Sequence, residues 1–171
     1  IDKLGIFGLD YILSYTFLGM VFTSLSICGI VNSINIIDGF NGLASGSSII
    51  ILMGFALLSF LIGDNQIFII SSLLASILIG FLIFNFPFGK IFLGDGGAYF
   101  IGFFIACIAV SIYVRNEGFS PWSCVLLCAY PITETIISII RKVKRQGHHP
   151  GYPDRLHLHM LIYRSVSRKI S

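Results

Sequence analysis

Three short polar stretches carry the residues able to do chemistry in an otherwise apolar chain. The first runs from Asn32 to Leu43 and sets Asn32, Asn35 and Asp38 three residues apart. On a helix that spacing lines the side chains into one ridge. A carboxylate with amides at a helix end suits a hard, oxygen-liganded cation such as Mg2+. Asp38-Gly39 and Asn41-Gly42 are also ordinary turn formers, so a plain helix C-terminus explains them equally well. The second stretch, Asn85 to Gly97, places Asp95 among Gly94, Gly96 and Gly97 just ahead of an apolar run. Glycines there let backbone N–H groups approach a phosphate at a positive helix N-terminus. Asp95 would repel that phosphate unless a metal ion bridged them, which makes it a metal ligand or else an N-cap. Phe86, Phe88 and Phe92 offer flat faces to a nucleobase, or to lipid. The third stretch, from Arg141 onward, holds all four histidines within His148–His159. Its Lys and Arg residues attract phosphates and anionic head groups, and Arg binds phosphate bidentately. The histidines fit no standard zinc spacing. Donation to a pyrophosphate is the more natural reading, beside a bland one in which the tail is only a basic anchor.

The elements that must position these stretches are membrane helices. Of 171 residues, 56% are hydrophobic and 11% charged, with a mean hydropathy of +0.91; a soluble domain carries about 25% charged residues. Five runs approach the ~20 residues a helix needs to cross the bilayer: 11–30, 43–62, 67–84, 98–114 and 122–140. They lack the period-2 alternation of a membrane barrel and the polar outer faces of a soluble bundle. An all-α, polytopic bundle of a single domain over 1–171 follows, with a tail over 141–171 and no internal repeat. Eight of the eleven Lys and Arg residues lie in that tail, which marks it as cytoplasmic. Counting back through the spans puts 31–42 and 85–97 on the same side and the N-terminus and the loops at 63–66 and 115–120 outside. The three polar stretches can therefore converge on one site.

Cys28, Cys107, Cys124 and Cys128 all fall within expected helices without CxxC spacing, where cysteines act as small hydrophobes. The chain begins with Ile1 and stops in Arg168-Lys169-Ile170-Ser171, so an internal piece of a longer protein is expected.

In register, N-x-x-N-x-x-D-G-x-[D/N]-G-L (Asn32 to Leu43), N-x-P then F-x-G-D-x-G (Asn85 to Gly97), and P-D-R-x-H-x-H (Pro153 to His159) resemble the polyprenyl-phosphate N-acetylhexosamine-1-phosphate transferases. These bacterial membrane enzymes also include the phospho-MurNAc-pentapeptide translocases. The resemblance runs from about Leu18 to Arg164. It implies Mg2+-dependent transfer of a sugar 1-phosphate from a UDP-sugar to undecaprenyl phosphate with release of UMP, Mn2+ serving as a substitute ion. It implies that Asn35, Asp38 and Asp95 bind the metal and its pyrophosphate and that Asn85 and Phe92 lie near the uridine. It further implies that Asp154, Arg155, His157 and His159 contact phosphate or sugar. Asp38, Asp95, His157 and His159 are thereby the expected catalytic residues, and the enzyme is expected in the bacterial cytoplasmic membrane with cytoplasmic catalytic loops. The lipid bilayer and both substrates are the implied partners, nucleic acid is not, and homodimerisation is left open.

The match has departures. Asn41 stands where a second Asp is frequent, Met160 where a third His often sits, and Ala98 where Ser is common. The paired-Asp motif of the family's N-terminal half is absent, so these 171 residues alone are expected to be inactive. The Pro153–His159 form resembles the N-acetylhexosamine branch that starts O-antigen, teichoic acid or other surface-glycan synthesis. UDP-GlcNAc is the first-choice donor, with GalNAc, FucNAc and QuiNAc open. The alternatives are phospho-MurNAc-pentapeptide transfer and a non-catalytic transporter or structural subunit. The intramembrane charge that a transporter would use is limited to Glu134, about two turns before Arg141.

Overall fold

A computed structural model describes residues 1–116 and 118–144. All regular elements among them are helices: α1 (Phe7–Leu13), α2 (Thr16–Ile37), α3 (Leu43–Ile62), α4 (Asn65–Asn85), α5 (Gly94–Arg115), α6 (Pro121–Leu127) and α7 (Ala129–Lys144). α2 to α5 are each long and apolar enough to cross a membrane, and a fifth span exists if α6 and α7 count as one.

Two expected boundaries move. The first span begins at Thr16 rather than Tyr11, because the backbone turns extended at Tyr15 and leaves α1 as a separate short helix. It also continues past Ile30 to Ile37. There the polar side chains satisfy themselves along their own helix: Asn32 Nδ2 donates to the Cys28 carbonyl at 2.8 Å and the Ser33 hydroxyl to the Gly29 carbonyl at 2.7 Å. A hydropathy window ends at such residues although the helix does not. The second correction is the fifth span. Instead of one helix over 122–140, α6 and α7 meet at Cys128 with a bend of 75°. The cause lies three residues on. Pro131 has no N–H for the Leu127 carbonyl, and its ring would clash with that carbonyl in a continuous helix. Ending α6 at Leu127 places Pro131 in the first turn of α7, where proline is tolerated.

The bundle is built from two intimate pairs, α3 with α4 and α2 with α5. The first is closed by the turn at Gly63, which takes φ +81°. There the Asp64 N–H returns to the Ser59 carbonyl at 2.9 Å, and Asp64 caps α4 through the Ile67 N–H. In the second pair Gly102 permits backbone contact: a Cβ there would stand 2.8 Å from the Val31 Cα and 3.2 Å from its carbonyl oxygen. Small residues at such a crossing let membrane helices approach closely. The core joins Ile34 and Ile37 of α2, Leu52 and Phe55 of α3, Leu78 of α4 and Ile105 and Ile112 of α5. Outward rows such as Ile69, Leu73 and Ile77 on α4 are exposed and suit a lipid-facing surface. Cys124 and Cys128 are buried in the core and Cys28 is exposed. All four cysteines are free, but Cys128 stands in the α6–α7 break rather than inside a helix.

Candidate active site

The C-terminal end of α2 and the N-terminal end of α5 lie side by side, and the first two polar stretches meet there. Asn35 Nδ2 donates to Asp95 Oδ1 at 3.2 Å across 60 residues of sequence. Asp38 closes α2 as its C-cap, with its N–H on the Asn35 carbonyl at 3.1 Å. Two influences raise the Asp38 carboxyl above its ordinary 3.8: burial first, then the negative charge of Asp95. Two carboxylates from different helices thus share one region and repel each other. Asp95 occupies the first turn of α5, whose start has no side-chain cap hydrogen bond. The N-cap reading of Asp95 therefore gives way to a role facing α2.

The loops after α2 and α4 interlock beneath this pair. Asn85, buried at the end of α4, accepts the Gly42 N–H on Oδ1 at 2.6 Å and donates from Nδ2 to the Ile91 carbonyl at 2.7 Å. Gly42 has φ +83°, and the Phe86 ring lies 3.0 Å from where its Cβ would be. Asn41 packs in the same way over Gly89. Within the second loop the Gly89 N–H bonds to the Asn85 carbonyl at 2.8 Å and the Lys90 N–H to the Phe84 carbonyl at 3.1 Å. The α4 helix stops at Asn85 because Pro87 forces Phe86 out of helical geometry. Phe92 is 74% exposed, and Lys90 is exposed on the same loop.

The donor set fits a magnesium ion. Among the described residues no three His, Cys, Asp or Glu side chains gather at one point. Asp38, Asp95 and the Asn35 amide could supply oxygen donors for part of a shell, although the Asn35 contact the structure shows is made by its Nδ2, which donates to Asp95. Mg2+ is commonly held in that way, by one or two carboxylates with waters and substrate phosphates filling the rest.

The first two sequence stretches thus converge as expected. Asp154, Arg155, His157 and His159 lie outside the described residues.

The sequence matches the profile of glycosyl transferase family 4 over residues 1–113. The chain belongs to that family. It is 36% identical over 138 residues to a probable undecaprenyl-phosphate N-acetylglucosaminyl 1-phosphate transferase of Bacillus subtilis, covering 80% of this chain and 38% of the relative. It is 30% identical over 148 residues to the undecaprenyl-phosphate alpha-N-acetylglucosaminyl 1-phosphate transferase of Thermotoga maritima, covering 86% and 44%. It is also 30% identical over 135 residues to a phospho-N-acetylmuramoyl-pentapeptide-transferase of Streptococcus equi subsp. zooepidemicus, covering 79% and 38%. The chain spans about two fifths of the length of these curated relatives.

Two positions in this family 4 chain were not singled out from sequence for the parts they play. Gly102 sets the approach of α5 to α2 seven residues beyond Asp95; the signal was a lone glycine inside an apolar span, which also occurs for other reasons. Asn85 was expected near a nucleotide; its side chain also bonds two backbone groups, which leave no trace in the sequence.

Proposed function

We propose that the protein transfers N-acetylhexosamine 1-phosphate, with GlcNAc 1-phosphate the first choice, from a UDP-sugar to undecaprenyl phosphate. A phosphate oxygen of the lipid forms a bond to the sugar-bearing phosphorus as the bridging oxygen leaves with UMP. The reading is carried by the Asn35–Asp95 contact, which brings the first two motif stretches to one end of the α2–α5 pair. Family membership and the relatives' names supply the reaction class.

Asp38, Asp95 and Asn35 would hold Mg2+, which when bound neutralises pyrophosphate charge and stabilises the departing UMP. The mutual repulsion of the two carboxylates supports this, since a divalent cation relieves it. The exposed Phe92 ring offers a face for uracil. Lys90 adds a positive charge on the same loop. Asp154, Arg155, His157 and His159 of the tail complete the phosphate and sugar contacts. The excess of Lys and Arg from Arg141 onward supports a cytoplasmic orientation of this end of the bundle in the bacterial inner membrane, where a soluble nucleotide sugar and a lipid acceptor can meet.

The test is UMP release by the intact protein in membranes given undecaprenyl phosphate, Mg2+ and a panel of UDP-sugars. Release that requires the lipid supports the reading, and the donor used identifies the sugar. Release only with UDP-MurNAc-pentapeptide moves the protein to the other branch, and silence with every donor from folded protein refutes transfer.

A further inference from the structure

Asn85 sits between the loop that follows Asp38 and the loop that leads into Asp95. An asparagine side chain presents an acceptor and donors from one rigid plane, so a single residue can hold two backbones at once. Here it does so: Oδ1 takes the Gly42 N–H at 2.6 Å, while Nδ2 gives to the Ile91 carbonyl at 2.7 Å. Gly42 ends the loop that begins at Asp38, and Ile91 lies four residues before Asp95. Asn85 is 5% exposed, which leaves little of the side chain to meet a ligand. Two further contacts clamp the same junction, Phe86 against Gly42 and Asn41 against Gly89.

We propose that Asn85 is a positioning residue that clasps the Asp38–Gly42 loop to the Lys90–Gly94 loop, and so sets the two carboxylates for the cation rather than touching the nucleotide. The proposal rests on the function proposed above. It differs from a uridine contact in what it predicts. Loss of a nucleotide contact weakens UMP binding with or without metal. Loss of the clasp loosens both loops and weakens the metal, because residues that orient metal ligands typically change affinity about 10–100-fold.

The experiment compares the intact protein with its Asn85→Ala and Asn85→Asp variants. Hydrogen exchange, Mn2+ binding by electron paramagnetic resonance and UMP binding by calorimetry without divalent cation are measured for each. Asn85→Ala should speed exchange about tenfold in segments 38–43 and 86–94. It should weaken Mn2+ binding and leave metal-free UMP binding unchanged. Asn85→Asp retains the acceptor for Gly42 but sets a carboxylate against the Ile91 carbonyl, so only the 86–94 segment should open. If Asn85→Ala unfolds throughout, the Asp variant decides. Protected loops with unchanged Mn2+ binding, or metal-free UMP binding lost with the metal unaffected, would overturn the clasp. A wild-type protein that binds no UMP would instead count against the transferase reading, while exchange and Mn2+ binding still judge the clasp.

Discussion

The two ends of the α4–α5 region hold acidic groups in opposite circumstances. At the end away from the site, Asp64 is fully engaged. It caps α4, accepts from Arg115 Nε at 2.9 Å and Nη2 at 3.3 Å, and accepts from Asn116 at 3.2 Å. The Arg115 bonds lead the influences that pull its carboxyl down from 3.8 to about 2. At the other end, Asp38 faces burial and a second carboxylate, and its carboxyl is pushed up. One acidic group is settled by its partners, and the other is held where its charge is costly. Among the described residues the influences on Asp38 both oppose its charge, and carboxyls perturbed in this way are candidates for functional sites.

The contrast can be broken first at the unsettled end. Asp95→Asn should reduce UMP release about a thousandfold by removing a charge that offsets the pyrophosphate, while the folded bundle persists. Wild-type turnover at saturating Mg2+ would end the metal role of Asp95. Next in size is Gly102→Ala. Its methyl would press on the Val31 backbone and push α5 from α2, costing about 1–3 kcal/mol of stability and about tenfold to a hundredfold in turnover. Unchanged turnover would mean that the α2–α5 spacing does not govern the Asn35–Asp95 contact.

At the settled end, Asp64→Ala should lower stability by about 1–2 kcal/mol through loss of the cap and its hydrogen bonds, yet leave turnover per folded molecule intact. The two ends also differ in sign with pH. Because the Asp64 carboxyl is depressed, its stabilisation is full above 3.8 and is lost as pH falls toward about 2. Because the Asp38 carboxyl is raised, its ionised form opposes folding, and acidification relieves that penalty while weakening any cation held there. Mn2+ binding should therefore fade on acidification before the Asp64 contact fails. Denaturation curves and Mn2+ titrations across pH 2 to 7, a range about the ordinary aspartate value, measure both. The smallest effect belongs to Cys28→Ser, on an exposed helix face, which should be near neutral; a large loss of activity would show that the thiol does more than pack.

Part of this arrangement was legible before any fold was known, although the pairing of Asp64 with Arg115 and Asn116 was not. Gly63-Asp64 reads directly as a turn, because a left-handed glycine followed by an N-cap closes a helical hairpin. Positive charge and apolar spacing placed Asp38 and Asp95 on one membrane side, and the Asn35–Asp95 contact bears out that convergence. The break at Cys128 was less visible: Pro131 stands in plain view, but a hydropathy window averages over it. The extension of α2 through Asn32 and Ser33 was hidden because their polarity is met by carbonyls of their own helix. The clasp at Asn85 was beyond reach, since the groups it binds are a backbone N–H and a backbone carbonyl, which every residue type but proline supplies alike.

The most direct test of the convergent acidic site is Mn2+ binding to the intact protein by electron paramagnetic resonance, comparing wild type with Asp38→Asn and Asp95→Asn. One bound ion in the wild type, lost on changing either residue despite their positions on different helices, is the predicted result. An ion retained with unchanged affinity by both variants would contradict the account.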